Sequence, residues 1–371
     1  MKLRIGITCY PTYGGSGIVA TELGMELAAR GHEVHFITYA NPIRLDPDTP
    51  NVYYHEVEVS TYPLFQYPPY CLALASRMAE VAEYHNLHLL HVHYAIPHSI
   101  SALLAQQMLA GKRRLPFITT LHGTDITLVG AERSYYSITR FSIAQSNAVT
   151  SISEALKKET VEFLGVERPI EVIPNFVNCT LYQPAMDRSE RPPRLLHISN
   201  FRPVKRAADC IRVLARVREQ VAAELWMAGD GPDRGPSEQL AQELGVREHV
   251  RFLGKQSHIE RLIPQTDVLL LPSQTESFGL AALEAMACGV VPVSTRTGGL
   301  PEVITHGVDG FLEEVGDVEA QAARVLELLT SPPRRGRMAA AARRNAEARF
   351  CTTRIIPLYE DLYRRTLEAA P

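Results

Sequence analysis

No apolar run in this sequence approaches the ~20 residues that a bilayer-spanning helix needs. The opening residues Met1-Lys2-Leu3-Arg4-Ile5-Gly6-Ile7 read directly as a strand. They lack the apolar core and small-residue cleavage site of a secretion signal. A soluble cytoplasmic protein with no integral membrane segment is therefore expected. A strong excess of charge is missing too. The formal net charge is −3, which gives no electrostatic reason to expect nucleic acid as a partner. Any anionic ligand must be met by local cations. Paired cysteines are also absent. Cys9, Cys71, Cys179, Cys210, Cys288 and Cys351 form no CxxC and stand in no zinc-finger spacing with histidine. Dispersed reduced thiols follow. No repeat or low-complexity segment stands out.

What remains is an ordinary globular balance, 46% hydrophobic and 21% charged over 371 residues. That suits two domains, each burying its own core. Leu3–Cys9, Glu33–Thr38, Val52–Val57, Leu87–Val92, Phe117–Leu121 and Ala148–Ser151 read as strands. Amphipathic runs such as Ile18–Arg30 and Ala73–Tyr84 read as helices between them. This alternation predicts a parallel sheet covered by helices, an α/β fold. Pro174–Pro193, with Asn178, Asp187 and Ser189, breaks the rhythm as a linker. The pattern restarts at Leu195–Ser199, Glu224–Ala228, Val250–Leu253, Val268–Leu271 and Val290–Ser294. The expected division is an N-terminal domain over 1–175, a linker over 176–193, a second domain over 194–350 and a final helical stretch over 351–371. Ligands of open α/β sheets bind beyond the carboxyl ends of the strands, so function is expected in the loops that follow strands and in a cleft between the two sheets.

Gly15-Ser16-Gly17-Ile18-Val19-Ala20 satisfies GxGxxA, the dinucleotide fingerprint. Two details oppose that use. Tyr10 to Gly14 separate the strand from Gly15, and the second strand ends at Thr38-Tyr39-Ala40-Asn41 with no carboxylate for a ribose hydroxyl. The glycines still let a ligand approach the backbone. Ser16 is expected to cap a helix whose N–H groups face an anion.

The most informative segment is Glu276-Ser277-Phe278-Gly279-Leu280-Ala281-Ala282-Leu283-Glu284-Ala285-Met286-Ala287-Cys288-Gly289. Leu280 to Cys288 favour a helix, Gly279 opens it and Gly289 suits its C-terminal cap. A diphosphate fits the N–H groups at the helix mouth. Glu284, more than a turn in, suits a ribose diol. Glu276, at the mouth, suits the sugar on the diphosphate. Spacing alone fits a surface helix with two solvated acids equally well. After the first strand of the second domain come Asn200-Phe201-Arg202-Pro203-Val204-Lys205-Arg206. Three cations at a helix start oppose its dipole, which points to an anionic ligand there. Turns at Gly229-Asp230-Gly231-Pro232 and at Gly254-Lys255-Gln256 line the same edge as candidates for a base pocket.

Glu276-x7-Glu284, followed by Gly298-Gly299-Leu300-Pro301-Glu302 and Gly307-Val308-Asp309-Gly310-Phe311, resembles the donor domain of the retaining GT-B glycosyltransferases of family GT4. The resemblance covers nearly the whole chain. It implies two Rossmann-like doubly wound domains facing across a cleft, with the last helix crossing back to the first domain. It implies that Glu284 holds the ribose, Glu276 lies beside the donor sugar or phosphate, Lys205 binds the diphosphate, and backbone amides around Phe278, Gly279 and Leu280 contact the sugar. Gly15, Ser16, Gly229 and Gly254 join them as donor contacts, and His122 hydrogen-bonds the donor sugar. Many members carry an arginine where this chain has Asn200, so Arg202 or Arg206 is expected to supply that charge. Thr8-Cys9-Tyr10-Pro11, Phe65-Gln66-Tyr67-Pro68-Pro69-Tyr70, His91 to His98 and His122-Gly123-Thr124-Asp125 narrow the resemblance to the branch of the family that opens bacillithiol synthesis. The implied reaction moves GlcNAc from UDP-GlcNAc to L-malate with retention, by front-face attack and with neither metal nor cofactor. Ser16, Tyr94, Thr124 and Arg140 are the acceptor candidates. His91, His93 and His98 suggest a metal at first sight, but no further ligand is evident. A family member with an inositol phosphate or lipid-linked acceptor, or a non-catalytic sugar-nucleotide-binding protein, is the alternative. Homo-oligomer formation is left open.

Overall fold

The computed structural model describes residues 2–46, 48–60, 62–185 and 191–369. Residues 186–190 of the expected linker, with Asp187 and Ser189, lie outside the described residues, as do 1, 47, 61 and 370–371 of the flanking segments. The chain forms two compact units. Unit 1 comprises Met1–Pro174 with Ile355–Pro371, and unit 2 comprises Asn175–Arg354.

Unit 1 is built on a seven-stranded sheet: β1 Arg4–Thr8, β2 Glu33–Thr38, β3 Val52–Glu56, β4 Leu89–His93, β5 Phe117–Leu121, β6 Ala148–Ser151 and β7 Ile170–Val172. All neighbours run parallel in the order β3-β2-β1-β4-β5-β6-β7. The apolar runs explain the layering: β4 and β5 are buried along their whole length because helices cover both faces. Helix Tyr70–Tyr84 packs Leu74, Met78 and Val81 with Ile37, Leu90 and Val92 into one core. The helix Thr352–Glu368 contributes Tyr359 and Tyr363, fully buried, to unit 1.

Unit 2 carries six parallel strands: β8 Arg194–Ile198, β9 Glu224–Ala228, β10 Val250–Gly254, β11 Val268–Leu271, β12 Val291–Thr295 and β13 Phe311–Glu313. Their order is β10-β9-β8-β11-β12-β13. Its core joins Leu195, Leu225, Val268 and Val293 to Ile211 and Leu214 of helix Ala207–Arg218. The expected α/β class with two doubly wound sheets is borne out. In each sheet the winding reverses once, between β1 and β4 and between β8 and β11, and these are the topological switch points where ligands bind such folds.

Segment 175–185 is packed rather than extended as a tether. Phe176, Val177 and Tyr182 are buried in unit 2, and Val177 bridges Cys351. Its proline- and asparagine-rich composition marks irregular chain, and irregular chain is also what wraps a domain.

Candidate active site

Lys205 and Glu276 meet at the switch point of the second sheet. The loop after β8 ends in a short 3-10 turn, Pro203–Lys205. The loop after β11 is tied to it where the Gln274 N–H donates to the Val204 carbonyl at 2.7 Å. These two anchors bring the Lys205 ammonium to Glu276 Oε2 at 2.5 Å, with Ser273 Oγ donating to the same oxygen at 3.3 Å. Both charged side chains keep part of their surface open, 21% and 16%, so the pair sits at the rim of the fold and a ligand can compete for it.

His197 shapes the β8 loop from beneath. Its Nδ1 donates to the Leu270 carbonyl of the neighbouring strand at 3.0 Å. That leaves Nε2 to accept from Ser199 Oγ at 2.8 Å, and the same oxygen accepts from the Phe201 N–H at 3.1 Å. Burial lowers the His197 pKa to about 4, which keeps the neutral tautomer this chain of bonds requires.

Behind Glu276, Gly298 has φ +51, and a Cβ there would lie 2.0 Å from the Glu276 carbonyl oxygen. The Gly299 N–H donates to that same carbonyl at 2.9 Å. The paired glycines therefore let one loop lie directly on the backbone of the other and set the height of Glu276. Next, Gly279 turns with φ +96 and the helix Leu280–Ala287 begins, presenting its N-terminal amides toward the same edge. Glu284 lies within that helix and is buried, and its Oε1 accepts from the Tyr182 hydroxyl at 2.7 Å. Arg343 in turn holds the carbonyls of Tyr182, Ala287 and Cys179.

Asn200 is in the same loop, with its Oδ1 buried and unpartnered. Arg202 is exposed. Arg206 turns away: its Nε donates to Asp209 Oδ2 at 2.6 Å, and its guanidinium lies 3.2 Å from where a Gly316 Cβ would be. In this structure the Arg206 charge is engaged by Asp209, as that of Lys205 is by Glu276. Gly229 donates its N–H to the Gly254 carbonyl at 2.8 Å, which brings both turns to one edge of the sheet. Phe278 is 2% exposed and stacks edge-on with Phe350, so its ring belongs to the core and only its backbone can serve a ligand.

At the carboxyl edge of the first sheet the structure gathers Tyr94, His122 and Thr124. Tyr94 ends β4 with φ +93, a conformation that bulky residues adopt only when the surroundings impose it. Its ring stacks on His122 with centroids 5.9 Å apart, and its hydroxyl contacts Thr124 Oγ1. His122 Nε2 is 2.9 Å from His93 Nδ1. Below it His91 bonds Tyr363 and Thr120, each at 2.7 Å. Burial lowers the pKa of His91 and of His122 to about 3 and that of His98 to about 4, so these rings are neutral hydrogen-bonding groups. His98 Nδ1 donates to the His93 carbonyl at 2.6 Å, while the Nε2 atoms of His93 and His98 are buried without a hydrogen-bond partner. Asp125 accepts from the N–H groups of Ala95, His122 and Gly123 and thereby shapes the loop.

One expectation needs correction here. The helix after β1 begins at Gly15, with Gly14 in the cap position and no side-chain cap bond. Ser16 therefore lies inside the first turn instead of capping it. The glycine required by packing is Gly17, where a Cβ would fall 2.3 Å from the Tyr10 carbonyl oxygen, whereas around Gly15 the space is open. Arg140 is exposed on helix Arg133–Gln145, and its guanidinium lies 4.0 Å from where a Gly165 Cβ would be. That places its guanidinium beside the C-cap of the following helix, Glu154–Leu164.

Two family models cover most of the chain: Glycosyltransferase Family 4 matches residues 13–181, and Glycosyl transferases group 1 matches residues 182–345. N-acetyl-alpha-D-glucosaminyl L-malate synthase of Bacillus anthracis is 47% identical over 98% of this chain and 97% of its own length. The chain belongs to the family 4 glycosyltransferases.

Its fold is the GT-B fold of solved relatives. A glycosyltransferase from Rickettsia africae superposes with a TM-score of 0.83 at 20% identity, covering all of both chains. Anabaena HepE, solved with UDP and glucose, superposes with 0.82 at 20% identity, covering 97% of this chain and 99% of that one. Among the described residues, no helix of this glycosyltransferase is long and apolar enough to cross a membrane. Reading residues alone missed Tyr182 and His197. Neither sits in a recognisable motif, because each acts through one buried hydrogen bond to a distant strand or helix.

Proposed function

We propose that this glycosyltransferase moves N-acetylglucosamine from UDP-GlcNAc to the hydroxyl of L-malate with retention of the anomeric configuration, opening bacillithiol synthesis in the cytoplasm. The observation that supports this most is the 47% identity, spread over essentially the full length, to an enzyme with that activity. The match spans both units of the chain.

On this reading unit 2 grips the donor. Glu284, oriented by Tyr182, takes the ribose diol. Lys205 and the amides that open helix Leu280–Ala287 take the diphosphate, and the backbone at Phe278, Gly279 and Leu280 together with Glu276 takes the sugar. The C1–O bond to the diphosphate breaks as a malate hydroxyl oxygen bonds to C1 on the same face. The hydroxyl proton passes to the departing phosphate oxygen. Catalysis then rests on placement and on stabilising the charge that develops on the leaving group, with Lys205 doing what a metal ion does elsewhere. Unit 1 receives the acceptor. Tyr94 and Thr124 offer hydroxyls, and the helix that starts at Gly15 and Ser16 offers free N–H groups to a carboxylate.

The test is an acceptor screen with UDP-GlcNAc, following UDP release and product mass. Malate-dependent release with formation of an α-linked GlcNAc-malate is expected. Release with water alone would identify a hydrolase. Release only with an inositol phosphate or a lipid-linked sugar would reassign the acceptor.

A further inference from the structure

Three histidines outside the candidate site lie together. His35 lies on β2, His55 on β3, and His85 directly follows helix Tyr70–Tyr84. The sheet register aligns Ile37 with His55 and His35 with Tyr53, so His35 and His55 stand diagonally on one face. Helix Tyr70–Tyr84 covers that face and brings His85 down beside them. One ring nitrogen from each of the three lies within 4.8 Å of the others. His35 Nδ1 and His55 Nε2 are 2.9 Å apart. The His85 ring is tilted over both, with centroids 4.6 Å from His35 and 5.0 Å from His55.

We propose that His35, His55 and His85 form a three-histidine site for a divalent transition metal of borderline softness, Zn2+ foremost, with its fourth position open. Three observations support this. Imidazole is the commonest zinc ligand, and only its neutral form binds a metal. His35 is 1% exposed and its Nε2 has no hydrogen-bond partner, so the proton of the neutral ring can sit there and leave Nδ1, the nitrogen that faces His55 Nε2, to bind the ion. Finally, zinc–nitrogen bonds of about 2.0–2.1 Å in a tetrahedron set the nitrogens about 3.4 Å apart. The present nitrogen separations, 2.9 Å for His35 and His55 and within 4.8 Å for all three, bracket that spacing, and His55 and His85 are only half-buried.

Tyr53 stacks on His35 at 4.8 Å and orients it. Arg4 and Arg77 are the nearby charges acting on the cluster, and both work against a cation, which favours a site of moderate affinity over a permanent one. The ion would tie the last turn of helix Tyr70–Tyr84 to the edge of the sheet. That helix begins after the loop at the carboxyl end of β3, so its last turn lies toward the opposite edge from Tyr94 and Thr124. The site is separate from the residues assigned to the transfer reaction and to the acceptor.

The test uses the full-length chain without a histidine tag, stripped with chelator and then titrated with Zn2+ or Co2+. One Zn2+ per chain is expected. With free zinc at ~100 times Kd the melting temperature should rise by roughly 5–10 °C. Co2+ should give the intense visible absorption of tetrahedral coordination. His55→Gln and His85→Gln, which keep the side-chain volume, should each abolish the uptake, the shift and the colour. Zinc-edge anomalous diffraction from wild-type crystals should place the ion among the three rings and needs no variant. No uptake by the wild type, equal uptake by the variants, or an anomalous peak elsewhere would each overturn the assignment.

Discussion

Replacing Lys205 with Met keeps the aliphatic stem and removes only the ammonium. In the resting protein that ammonium is bound to Glu276 Oε2 at 2.5 Å. If it serves the diphosphate, its loss removes one charge-assisted contact, ordinarily ~1.5–3 kcal/mol, so UDP should bind about 10- to 150-fold more weakly. The chemical step should suffer further. Removing a donor aimed at developing negative charge costs about 10²- to 10³-fold in kcat. Glu276→Gln sets the opposite sign for binding. It removes the carboxylate that competes with the diphosphate for Lys205, so UDP should bind as tightly as to wild type or tighter, while kcat falls because the sugar loses its carboxylate. Calorimetry with UDP and with uridine, alongside UDP-release kinetics, separates these effects. Uridine has no phosphate, and Lys205→Met should leave its affinity unchanged. Equal weakening of UDP and uridine would show that Lys205 supports the fold of the pocket rather than the diphosphate, and the assignment would fail.

Tyr182→Phe strips the buried Glu284 of a 2.7 Å hydrogen bond; urea unfolding should show a loss of about 1–3 kcal/mol, and the KM for UDP-GlcNAc should rise more than that for malate. Gly298→Ala places a methyl group where only 2.0 Å separates it from the Glu276 carbonyl; the loop must move, and kcat/KM should fall by about 10²-fold or more, with near-native activity counting against the packing described. Arg140→Ala should leave the malate KM at its wild-type value, since its guanidinium lies beside Gly165; a selective rise in that KM would return Arg140 to the acceptor. His91, His98 and His122 have folded-state pKa values of about 3 to 4, below the ~6.5 of an unfolded histidine. The unfolded chain therefore takes up protons first, and stability should be complete above pH ~6.5 and fall by up to about 1.4 kcal/mol per pH unit for each as the pH drops toward the folded values. A urea midpoint that stays flat between pH 6.5 and 5 would contradict the neutral buried network.

Periodicity revealed the fold because parallel strands buried on both faces leave continuous apolar runs. β2, β5, β6, β9 and β11 are found at the residues expected. The three-residue strands β7 and β13 were not legible, being too short to carry any pattern. At the candidate site, the loop positions of Lys205, Glu276 and Gly279 were readable because they follow strands, whereas the roles proposed for Lys205, Glu276 and Glu284 came from the family resemblance. Their supporting residues were not readable. Tyr182 lies 102 positions from Glu284, and His197 acts through a carbonyl 73 positions away. Ser16 misled for a local reason: a polar residue near a helix start suggests a cap, yet Gly14 took that position with extended backbone angles.

Unit 1 is discontinuous, closed by the part of helix Thr352–Glu368 that begins at Ile355, after all of unit 2 in the chain. A ribosome makes the seven strands first and the segment carrying Tyr359 and Tyr363 only after some 180 intervening residues of the other unit. Until then His91 lacks its Tyr363 partner, and the sheet emerges with one flank unfinished. Newborn chains should therefore resist protease in their second half before their first.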